Sequence, residues 1–102
     1  MHKRILLVSI FPSAERDLTE IFTYIGAESP TAAHKLLEDI FARIERLSTF
    51  PELYPLTRDP FLASKDYRII PLKNYLIFYV ITKSEIQIRR VVHGKREYRG
   101  FL

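Results

Sequence analysis

Residues 66–94 read DYRIIPLKNYLIFYVITKSEIQIRRVVHG, and no other stretch limits the fold so tightly. Its Tyr, Ile, Val and Phe content suits a pleated surface. Lys73-Asn74 and residues 82–84 interrupt it as turn signals. Gaps this short join only antiparallel neighbours, because a parallel crossover needs a dozen or more residues. The pattern predicts three strands in a meander. The middle one, YLIFYVI, is apolar on both alternating faces, with Tyr75, Ile77, Tyr79 and Ile81 on one and Leu76, Phe78 and Val80 on the other. Such a strand is covered on both faces, and at least one cover must come from the rest of the chain.

The rest of the chain supplies two helices. Residues 3–10 (KRILLVSI) predict a first strand, broken by Phe11-Pro12-Ser13. Ser13 is the expected N-cap of a helix with Glu15 and Asp17 in its first turn. Ala14, Leu18, Ile21, Phe22 and Ile25 follow at helical spacing, and Gly26 is the expected stop. Ser29 then caps a second helix with Pro30 at its first position, and Ala33, Leu36, Leu37, Ile40, Phe41, Ile44 and Leu47 form its apolar stripe. The short loop between them makes a helical hairpin. Residues 48–66 carry Pro51, Pro55 and Pro60 together with Phe50, Leu53, Tyr54, Phe61 and Leu62, the mark of an ordered, packed connection. The expected architecture is α+β in the order β-α-α-β-β-β, one domain over residues 1–102 with the hairpin on one face of a small, mainly antiparallel sheet. Two helices cover one face only. Tyr75, Ile77 and Tyr79, or their alternates, are then expected to stand as an exposed apolar patch for a partner.

Composition narrows the function classes. The chain has no cysteine, which removes disulfides and thiolate metal sites and points to a reducing cytoplasm. No run reaches the roughly 18 apolar residues of a membrane helix, so no membrane partner is expected. Residues 1–88 hold 11 Lys and Arg against 11 Asp and Glu, whereas residues 89–102 hold Arg89, Arg90, Lys95, Arg96 and Arg99 against Glu97 alone. The whole net charge of +4 therefore sits in the tail, which suits an anionic partner or a merely solvated end. His2, His34 and His93 are scattered, and no metal or other cofactor is expected. Glu15, Asp17 and Glu20 read as a solvated helix face.

The remaining constellation is RRVVHGKREYRGFL. His93 is able to take up and release a proton, Lys95, Arg96 and Arg99 are able to hold phosphates, and Tyr98 is able to donate a proton or stack on a base. Those are the parts of metal-free RNA cleavage. The plainer reading, which spacing favours, makes His93 a strand end and the arginines partners of acidic side chains. In residues 85–93 strict alternation puts Arg90 on the apolar face of Ile86 and Ile88. Either a bulge resets the register near Arg89-Arg90 or one arginine is partly buried with a partner.

Four stretches, SAERDLTEIFTYI, FPELYP, DYRIIPLKNYLIFYVI and IRRVVHGKREY, resemble in order the helix, proline link and strands of the ParE/RelE toxin superfamily of bacterial toxin–antitoxin modules. The resemblance spans residues 5–98. It implies a toxin neutralised by a cognate antitoxin that wraps it, with Tyr75, Ile77 and Tyr79 as the antitoxin-binding face. It also implies one of two activities. ParE-like members poison DNA gyrase, and Arg89, Arg90, Lys95, Arg96 and Arg99 would then meet the target. RelE-like members are ribosome-dependent messenger RNA endonucleases, and Arg68, His93, Arg96 and Tyr98 would then be catalytic. Leu76 stands where those nucleases often carry an arginine, and the tail ends soon after Tyr98. The VVHG and YLIF stretches look more like the gyrase poisons. An inactive relic that only binds its antitoxin would share all of these residues.

Overall fold

The computed structural model describes residues 5–102. Its elements run β1 (Leu7–Ile10), α1 (Pro12–Gly26), α2 (Pro30–Arg46), a one-turn α3 (Pro60–Ala63), β2 (Arg68–Leu72), β3 (Tyr75–Ile81) and β4 (Glu85–His93). A single 3-10 turn, Arg99–Phe101, follows. The expected α+β order is present, with α3 as an addition inside the connection. Residues 3 and 4 of the expected first strand, and His2, lie outside the described residues.

The four strands form one sheet in the order β1-β4-β3-β2. The β2–β3 and β3–β4 pairs are antiparallel, as their short turns require, and β1 joins β4 in parallel after the long helical crossover. Pro71 is tolerated in β2 because that strand is an edge. The register slips between Phe78 and Tyr79, which face Arg90 and Ile88, so Arg89 is the extra residue of a bulge.

Helix α2 begins as its sequence dictates: the Ser29 hydroxyl accepts from the Ala32 N–H at 3.1 Å, with Pro30 at the first position. Helix α1 does not. It starts at Pro12 with Phe11 as an uncapped N-cap, and Ser13 Oγ instead donates to the Arg89 carbonyl at 2.8 Å. Gly26 is the last helical residue and has no positive φ. The chain turns through Ala27, whose φ is −61°, while the N–H groups of residues 27–29 bond back to Thr23 and Ile25. Phe41 was expected in the core stripe but is 44% exposed, while Ile40 beside it is fully buried. Positions 40 and 41 sit about 100° apart on the helix, and the sheet takes only one of them.

The helices cover one sheet face with Leu36, Ile40, Ile44 and Leu47 over Ile70, Ile77, Tyr79, Ile86 and Ile88. The opposite face is not open, contrary to the expectation from two helices. Phe78, Val80 and Val92 are buried there under Leu62 and Tyr67, with Tyr98 and Leu102 of the tail packed alongside. The connection and the C-terminal segment together replace the third layer. Ile77 and Tyr79 belong to the helix-covered core and are inaccessible, so the patch expected at Tyr75, Ile77 and Tyr79 is not a surface. Tyr79 Oη donates to the Pro51 carbonyl at 2.9 Å, which pins the connection to the sheet.

Candidate functional site

Strand β1 stops at Ile10, where the Phe11 N–H donates to the Ile88 carbonyl at 2.9 Å. Beyond it the N-terminal half of α1 borders the edge of β4 that β1 no longer reaches. Ser13 donates to the bulge carbonyl of Arg89, and the Asp17 carboxylate accepts from the Val91 N–H at 2.9 Å. Arg90 turns to the same carboxylate, donating from Nε to Oδ2 at 2.7 Å and from Nη2 to Oδ1 at 2.8 Å. The hydrogen bond to Asp17 raises the Arg90 pKa still further, against the opposing effect of burial. Asp17 is buried, so its reading as part of a solvated face is wrong. Both alternatives offered for Arg90 hold at once: a bulge is present and the arginine is paired.

This junction frames a groove of about 640 Å³ between α1 and the start of β3 with the end of β4. Its lining includes apolar Ile21, Ile25, Leu36 and Val91, together with Glu20, Tyr24, Lys73, His93 and Arg96. The ring of Tyr75 meets that of His93 edge to face at 5.5 Å. Burial, with Tyr24 next in effect, raises the Tyr75 pKa and keeps its hydroxyl protonated. The Lys95 N–H donates to His93 Nδ1 at 3.2 Å, which leaves Nε2 to carry the proton of the neutral ring. Tyr24 is 80% exposed. The groove thus offers apolar area bordered by polar and charged groups of both signs, the make-up of a docking site for a protein segment.

The proposed catalytic set is not brought together. His93 and Arg96 line the groove. Tyr98 packs against Phe78 on the opposite sheet face, with ring centroids 5.0 Å apart. Arg68 pairs with Tyr79, four residues along β3 from the Tyr75 that pairs with His93. That offset is roughly 13 Å along the strand. The Arg68 guanidinium donates to the Tyr54 carbonyl at 2.6 Å. The basic tail is dispersed as well. Arg90 is held by Asp17, and Arg99 binds Asp59 with Nη2 at 2.6 Å and Nε at 2.8 Å. Desolvation works against it, but Arg99 and the N–H groups of Phe61 and Leu62 lower the Asp59 pKa overall. Arg89 lies over the Phe11 ring, and Lys95 and Arg96 are exposed on the turn after β4. Among the described residues no three His, Cys, Asp or Glu side chains gather as a metal site.

The Asp17–Arg90 pair is the feature that reading the sequence missed, although a signal was present. Asp17 stands three residues after Ala14 and four before Ile21, on the apolar arc of α1. Two opposite charges, each on an apolar face, are a reason to pair them.

Comparison with known proteins agrees with this architecture. The family described as ParE toxin of the type II toxin–antitoxin system parDE matches residues 8–98. No curated protein sequence matches. Among solved structures, a chain of the chromosomal ParDE toxin–antitoxin system from P. aeruginosa superposes with a TM-score of 0.71. It is 20% identical, and the match covers 88% of this chain and 97% of that one. At that identity the likeness shows the fold, and the family match extends over nearly the whole chain. The chain belongs to the ParE toxin family of type II toxin–antitoxin systems.

Proposed function

We propose that this toxin acts in the cytoplasm by binding DNA gyrase, without a catalytic centre of its own, and that a cognate antitoxin neutralises it. The observation that carries this reading is the separation of His93 and Arg96 from Tyr98 and Arg68. Cleaving a phosphodiester by proton transfer needs base and acid within hydrogen-bond reach of one phosphate. Here the phenol is on the other side of the sheet from the imidazole. Binding needs only a shaped and charged surface, which the groove and the turn carrying Lys95 and Arg96 supply.

The groove suits an apolar segment of the antitoxin. Tyr75 is the one member of the expected docking trio that lines it, while Ile77 and Tyr79 are buried in the core. The test is a pair of assays on purified toxin: gyrase supercoiling with trapping of the cleaved complex, and messenger RNA cleavage on programmed ribosomes. Activity in the first and none in the second is expected. Cuts in ribosome-bound message that are lost in Tyr98→Phe would replace this reading with the ribonuclease.

A further inference from the structure

Arg89 is the odd cation of the tail. It is half-buried as the extra residue of the β4 bulge, and its guanidinium is fixed on several sides. Nε and Nη2 both donate to Gln87 Oε1, at 3.0 and 2.6 Å. Gln87 in turn donates from Nε2 to Glu85 Oε2 at 2.8 Å, which fixes which way its amide faces. The Phe11 ring lies 4.8 Å and the Tyr67 ring 5.9 Å from the guanidinium carbon. Yet among the described residues no carboxylate comes within ion-pair distance of Arg89, and its Nη1 has no hydrogen-bond acceptor. Arg90 and Arg99, by contrast, each have a carboxylate partner.

An immobilised, partly desolvated guanidinium without a counter-ion has already lost its side-chain entropy, so an incoming anion meets a prepared donor edge. We propose that Arg89 is the docking point for an acidic side chain of the antitoxin, adjoined by an apolar residue that rests against Phe11. This rests on the reading that an antitoxin holds the chain. Phe11 follows β1 on the side away from the helix-covered core, because Leu6, Val8 and Ile10 pack into that core. A single carboxylate fits better than a nucleic-acid backbone. Phosphate tracking needs a row of cations, whereas Arg90 and Arg99 are neutralised and Glu85 stands in the same ladder as Arg89.

The test measures binding of the antitoxin encoded beside the toxin gene to wild type, Arg89→Met and Arg89→Lys, at two salt concentrations. Thermal melts of the free proteins check their folding. Arg89→Met is expected to bind about 10- to 100-fold more weakly and to lose salt dependence, the loss typical of a charge-assisted hydrogen bond. Arg89→Lys keeps the charge without the planar fork and should fall between. If Arg89→Met does not fold, Arg89→Lys decides alone: weaker binding supports the proposal and unchanged binding overturns it. Wild-type affinity in both variants sinks the Arg89 proposal and leaves the antitoxin reading standing. Loss of duplex DNA binding with antitoxin binding intact overturns it in favour of nucleic acid. A wild-type chain that ignores the antitoxin refutes both.

Discussion

Asp17 and Arg90 are 73 residues apart in sequence and form a two-point pair at 2.7 and 2.8 Å, partly buried where α1 takes over from β1 along β4. The same carboxylate accepts from the Val91 backbone, so it closes a strand edge and balances a charge together. The junction ties α1 to the far half of β4, whose other edge is paired with β3 as far as His93.

Removing one partner should therefore be severe. Asp17→Ala removes the carboxylate that Arg90 and the Val91 N–H share, and urea unfolding should show a loss of about 3–5 kcal/mol. Adding Arg90→Met to Asp17→Ala should recover part of that loss, because the uncompensated charge is gone. Additive losses would mean that the two side chains do not act as a pair.

Neighbouring positions on α2 should differ sharply. Ile40→Asp places a carboxylate at a fully buried site and should abolish the cooperative thermal melt. Phe41→Asp, at a position 44% exposed, should change stability by only about 1 kcal/mol. Equal effects would contradict the helix orientation.

Tyr79 gives the fold an alkaline limit. Burial raises its pKa to about 12. The folded chain keeps the proton longer than the unfolded chain, so this contribution is full below pH 10 and is lost as pH rises towards 12. The loss is on the order of 2–3 kcal/mol. Stability of wild type minus that of Tyr79→Phe, followed from pH 9 to 12, should shrink over that window. A constant difference would contradict the assignment.

The meander and the helical hairpin were legible because periodicity and turn chemistry are local. YLIFYVI announced a strand covered on both faces, and Ser29-Pro30 announced a helix start. What covers the second face was not legible. Leu62, Tyr67, Tyr98 and Leu102 come from segments without periodicity, and only the tertiary fold brings them to Phe78. Ser13 and Gly26 carried signals that the fold overrode. Ser13 found an acceptor in Arg89 across the sheet edge, and Gly26 found room inside the helix. The basic tail looked uniform in sequence, yet two of its arginines are neutralised by Asp17 and Asp59.

Tyr98 should behave as a packing residue. Tyr98→Phe keeps the ring on Phe78 and should leave both stability and toxicity near wild type. Tyr98→Ala uncovers that face and should cost about half the 3–5 kcal/mol of a fully buried aromatic, with new binding of a hydrophobic dye. A stable Tyr98→Phe that has lost toxicity would instead assign the phenol a chemical role.

The account rests on toxicity by binding, and gyrase supercoiling is the direct reading of it. Wild type, His93→Ala and Tyr98→Phe should be titrated against gyrase beside a variant lacking the exposed cations, Lys95→Ala with Arg96→Ala. The first three should inhibit within a few-fold of one another and trap cleaved DNA, and the fourth should need more protein as salt rises. No inhibition of gyrase by wild type at any concentration, with cleavage of ribosome-bound message that His93→Ala or Tyr98→Phe abolishes, would contradict it.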